Sequence, residues 1–106
     1  MGLLNWNFRS GNEELLRTLT DRVVQGCLNE VTQRTSGLLP DMLPAEARGY
    51  IRTRAAKVVN REIAVLCAAD PNLRSVDRTR LAAMVTDTLL IVVGERRRLG
   101  SRTIAA

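Results

Sequence analysis

The chain has no histidine, and its 106 residues include only three aromatics (Trp6, Phe8 and Tyr50), two cysteines and three prolines. Each scarcity excludes something. Without imidazole, most zinc and haem ligand sets lack a member, and Cys27 and Cys67 are too far apart in sequence to form a Cys-x-x-Cys pair. No glycine-rich phosphate loop and no serine in a nucleophile elbow is present, so the familiar nucleotide-binding and hydrolase signatures are missing. No run approaches the roughly 20 apolar residues of a membrane-spanning helix, and no cationic segment followed by an apolar stretch marks a secretory leader. Gly2 is not in a myristoylation motif, because Trp6 stands where that motif wants Ser or Thr. The expectation is a cytoplasmic protein without metal, cofactor or membrane contact, its two cysteines buried as free thiols.

What is present is aliphatic and basic. Apolar residues make up 45% of the chain, almost all Leu, Val, Ile, Ala and Met, a composition that suits helices packed side by side better than a sandwich rich in aromatic pairs. Sixteen basic residues face 11 acidic ones for a net charge of +5, and every cation except Lys57 is arginine. Guanidinium groups grip carboxylate and phosphate in a bidentate fashion, although a GC-rich genome produces the same bias. The positive sign permits anionic partners without demanding one.

Two breaks divide the chain. Gly37, Pro40 and Pro44 mark the first, and Asp70, Pro71 and Asn72 the second, leaving three segments of helical pattern at roughly 11–36, 44–69 and 76–99. Ser10 with Glu13 forms a capping box that predicts the first helix start, and Gly37 suits a left-handed C-cap. Pro44 is placed for the first position of helix two; Ser75, with Asp77 in the first turn, opens helix three. Residues 1–9 alternate apolar and polar at Leu4, Trp6 and Phe8, so 1–10 reads as an extended N-terminal arm available to a partner, and 100–106 as a flexible tail. Residues 11–99 form one all-α domain, a three-helix bundle.

The apolar positions fall on broad faces. Helix one carries Leu15, Leu16, Leu19, Val23, Val24, Cys27, Leu28 and Val31, with Gly26 near the arc and suited to a close helix crossing. Helix two carries Ala47, Ile51, Ala55, Val58, Val59, Ile63 and Leu66, and Glu62 falls within its stripe, where a carboxylate is either paired with an arginine of a facing helix, the leading expectation, or drawn into function. Helix three carries Leu81, Met84, Val85, Thr88, Leu89, Val92 and Leu99, widened by Ala82, Ala83, Leu90, Ile91 and Val93. The run Leu89 to Val93 also suits a buried strand, though no second strand exists to pair with it. So wide an arc predicts burial on more than one side, and hence a homo-oligomer, most simply a dimer, with Leu89, Leu90 and Val93 in the interface.

Three functional readings follow. Lys57, Arg61 and Glu62 superficially resemble parts of the site of helical chorismate mutases, small three-helix dimers that work with Arg, Lys, Glu and Gln alone, which would imply a small helical enzyme without histidine. The spacing from Lys57 to Glu62 is much shorter than in that family, however, and no glutamine follows in helix three. Arg54, Lys57 and Arg61 on one flank, with Arg96, Arg97 and Arg98 at the end of helix three, form possible anion contacts and point to nucleic-acid phosphates. The surplus apolar surface points instead to a non-enzymatic, self-associating scaffold, adaptor or assembly protein, and this is the leading expectation.

Overall fold

The computed structural model describes the backbone of residues 2–37 and 41–105, and the side chains of residues 13–37 and 41–96. Three helices, α1 (Gly2–Arg34), α2 (Pro44–Ala69) and α3 (Arg78–Ala105), each pack against the other two, and no strand occurs among the described residues. The fold is the all-α three-helix bundle that the apolar periodicity predicts, and Leu89 to Val93 are helical. The 33 residues of α1 rise about 50 Å at ~1.5 Å each, which accounts for most of the 58 Å long axis.

Helix α2 begins and ends at the residues expected. Pro44 occupies its first position, where a missing N–H does no harm, and the backbone N–H of Asp70 closes it onto the Leu66 carbonyl at 3.2 Å. The Asp70 carboxylate then accepts from the Asn72 N–H at 2.9 Å, holding a short 3-10 turn, Pro71–Leu73. Helix α3 is capped two residues later than expected, by Asp77 rather than Ser75: the Asp77 carboxylate accepts from the Arg80 N–H at 3.1 Å.

The other two helices overrun their expected ends. Ser10 and Glu13 lie inside α1, because nothing between Gly2 and Arg34 interrupts the backbone ladder and a capping box does not by itself start a helix. Residues 2–10 are therefore helical rather than an extended arm, and residues 100–105 continue α3 rather than forming a tail. The side chains of the arm and of Leu99 lie outside the described residues, as does Pro40 in the first connection. No described glycine has positive φ, so Gly37 is not a left-handed cap. Its lack of a side chain serves Tyr50, whose hydroxyl would lie 2.8 Å from a Cβ at Gly37.

The core follows the three stripes. Leu16, Leu19, Val23, Val24, Cys27, Leu28 and Val31 of α1 meet Ile51, Ala55, Val58, Val59, Ile63 and Cys67 of α2 and Leu81, Val85, Leu89 and Val93 of α3. Leu73 and Val76 from the second connection close one end. Burying each Leu or Val in this way is worth roughly 1.5–3 kcal/mol. Two buried threonines are accommodated without loss, Thr20 donating to the Leu16 carbonyl at 2.6 Å and Thr35 to that of Val31 at 2.8 Å. Both cysteines are buried free thiols.

Candidate interaction face

The three residues expected in an oligomer interface separate in the structure. Leu89 and Val93 are 0% and 5% exposed within the single chain, so they belong to its own core. The apolar arc of α3 is wide because the bundle covers it from two sides, with α1 and α2 both packed on it. Only Leu90 of the three retains surface, being half-buried, and among the described residues of α3 the most exposed large apolar side chain is its neighbour Ile91, at 61%. On α3 the apolar surface left exposed among the described residues is thus centred on Leu90 and Ile91, while Leu43 and Val65 are exposed to a similar extent elsewhere on the bundle.

One turn before these residues, a groove of about 440 Å³ runs between α2 and α3. Arg52, Ala56 and Asn60 form one wall, and Ala83, Thr86 and Asp87 the other. Val59 and Ala82 lie at its floor, and the groove exists because alanines stand where larger side chains would have filled the crevice between the helices. The Thr86 hydroxyl turns back onto the Ala82 carbonyl at 2.8 Å, so it lines the wall with its methyl group and a satisfied hydroxyl. Arg52 and Asp87 are exposed, and neither makes an ion pair with any described residue. Helical spacing carries the walls on to Gly49 of α2 and to Leu90 and Gly94 of α3, and a Cβ built on either glycine would meet no described residue within 4 Å.

The arginine flank expected to contact anions is largely engaged internally. Arg61 hydrogen-bonds Glu30 of α1, and Glu30 also takes the Nε–H of Arg34 at 3.0 Å. The Arg61 hydrogen bond holds the Glu30 carboxyl below the usual carboxylate range. Arg54 lies over the Tyr50 ring, 4.8 Å from its centroid. Lys57 and Arg96 are exposed and without an ion pair among the described residues, whereas the side chains of Arg97 and Arg98 lie outside them. The single flank is therefore divided: two cations are tied to the bundle and one is free.

Glu62 also departs from expectation. It is half-buried rather than enclosed, and its nearest cation is the adjacent Arg61 at 3.9 Å rather than an arginine of a facing helix. Its stripe position is marginal, and Gly26 lets the carboxylate lie across α1, where a Cβ would come within 3.3 Å of Oε2. The close approach expected at Gly26 is thus a side chain against a backbone. Beneath this charged junction Cys27 is fully buried, its thiol 4.0 Å from the Val58 carbonyl. Burial and the neighbouring Glu62 push its pKa up to about 11, so the thiol is neutral and unreactive.

Sequence reasoning missed Glu30, Arg52 and Asp87 as structural or surface determinants, and gave Glu13 a capping role in place of its pairing with Arg80. Glu13 pairs with Arg80 of α3, and Glu30 with Arg61 of α2, in both cases across more than thirty residues of sequence. No group of three or more His, Cys, Asp or Glu side chains among the described residues is placed to hold a metal, and no helix there is long and apolar enough to cross a membrane. No protein-family model, curated protein or solved structure matches the chain.

Proposed function

We propose that this is a non-enzymatic helical protein that works by binding protein chains, a second copy of itself foremost, as a scaffold or assembly unit. The observation that supports this reading is Ile91, 61% exposed beside half-buried Leu90 and next to a groove in which Ala56, Ala82 and Ala83 alternate with the polar side chains of Arg52, Asn60 and Asp87. An aliphatic side chain so exposed, on a helix face continuous with a crevice, gains by covering. A face of this kind, low-walled at Gly49 and Gly94, suits another helix better than a small polar molecule. Replacing Leu90 by Glu tests the reading: self-association is lost while the helical circular-dichroism signal persists. A variant that associates as wild type does would overturn it.

Arg48, Lys57 and Arg96, exposed and without an ion pair among the described residues, support a second reading, contact with nucleic-acid phosphates. Such binding would weaken steeply with salt and would read no bases. Duplex affinity measured at low and at physiological salt separates the readings. The scaffold reading expects no binding at physiological salt, and tight binding there that depends on Lys57 and Arg96 would displace it.

A further inference from the structure

We infer that the partner on this face is a second copy of the chain, related by a two-fold axis that runs along the α2/α3 groove, so that Arg52 of each subunit meets Asp87 of the partner subunit. This inference rests on the self-association proposed above and adds its geometry. Arg52 and Asp87 stand on opposite walls of one groove, both exposed, and neither is paired with any described residue. Rotation by half a turn about an axis parallel to the groove exchanges the walls: the partner's α2 lies over α3, and its α3 over α2. The positive wall of each copy then faces the negative wall of the other, twice, which is the self-complementarity that a closed two-fold interface requires.

The rest of the face fits the same arrangement. Between the charged positions the walls drop at Ala56 and Ala83, and a Cβ at Gly49 or Gly94 would meet no described residue within 4 Å, so helix backbones approach closely at these points of the seam. Leu90 and Ile91, one turn beyond Thr86 and Asp87, supply the apolar burial that the charge pairs alone lack. Two copies joined in this way form a four-helix seam of α2, α3 and their partners, with neighbouring helices antiparallel across it.

Charge reversal tests the geometry. Arg52→Asp places two like-charged pairs in the homodimer, and so does Asp87→Arg; each alone should weaken self-association by roughly tenfold or more. The double variant carries both reversals and should recover most of the wild-type affinity. The two single variants, mixed, should form a heterodimer in preference to either homodimer, because each then meets the opposite charge on both sides. Arg52→Gln and Asp87→Asn should give smaller losses and guard against misfolding of the reversed variants, with circular dichroism confirming the helices. If the wild type dimerises but neither reversal alters its affinity and mixing yields no heterodimer, this geometry is wrong and association uses another face. If the wild type is monomeric at about 100 μM, both this inference and the proposed function fall.

Discussion

The hydroxyl of Tyr50 fills the space above Gly37, lying 2.8 Å from where a Cβ would stand, and the Tyr50 ring carries Arg54 on its face. This ties the first connection to α2 through one side chain. Because Gly37 has no positive φ, its replacement by Ala brings a steric cost and no backbone strain. Gly37→Ala should destabilise by about 1–3 kcal/mol, as overpacking does, and Tyr50→Phe in the same chain should recover most of that loss by removing the hydroxyl. Thermal unfolding of the four chains of this cycle checks the coupling, and purely additive effects would disprove it.

Cys27 should behave as an inert thiol. Burial raises its pKa to about 11, above that of the unfolded chain near ~8.5, so the neutral form stabilises the fold at neutral pH. That contribution is complete below about 8.5 and is lost as pH rises through about 11. The stability advantage of wild type over Cys27→Ala should therefore shrink across this alkaline window, and native protein should resist thiol reagents until denatured. Rapid labelling of Cys27 under native conditions would contradict its position.

The Glu30 carboxyl, depressed by its bond to Arg61, acts with the opposite sign. Its contribution is present above the unfolded carboxylate pKa near ~4.3 and is lost as pH falls through the lower folded value. Denaturation midpoints measured from neutral to acid pH should fall less steeply for Glu30→Gln than for wild type. Glu62→Gln should change the neutral midpoint little, within about 0.5 kcal/mol, because that carboxylate is half exposed and only loosely paired. A large loss at Glu62 would place it in a tighter network than the 3.9 Å contact describes.

Leu89 and Leu90 are sequence neighbours with separate roles. Leu89→Ala should destabilise the chain by about 2–5 kcal/mol through a core cavity, because Leu89 is fully buried. Leu90→Ala should cost less, since that side chain keeps part of its surface in solvent. Chemical denaturation at protein concentrations low enough to suppress association checks the ordering, and equal losses would contradict the burial pattern.

How far the sequence was legible depends on the range of the interaction. Pro44 and Asp70-Pro71 set the bounds of α2 because they act on their own backbone, and the core stripes were readable because periodicity is local. Leu89 and Val93 were assigned to the wrong surface because a count of apolar residues does not reveal that two neighbouring helices flank α3. The Glu30–Arg61 pair and the facing of Arg52 and Asp87 depend on which helix lies beside which, and at what register, information no single segment carries.

The central claim, that the chain associates with itself through the α2/α3 face, is tested most directly by its mass in solution. Light scattering coupled to size exclusion, at loading concentrations spanning about 1 to 100 μM, should give twice the chain mass for the wild type at the upper end and a single chain mass for Ile91→Glu throughout. A wild type that remains at one chain mass over the whole range, or an Ile91→Glu variant that dimerises as the wild type does, would contradict it.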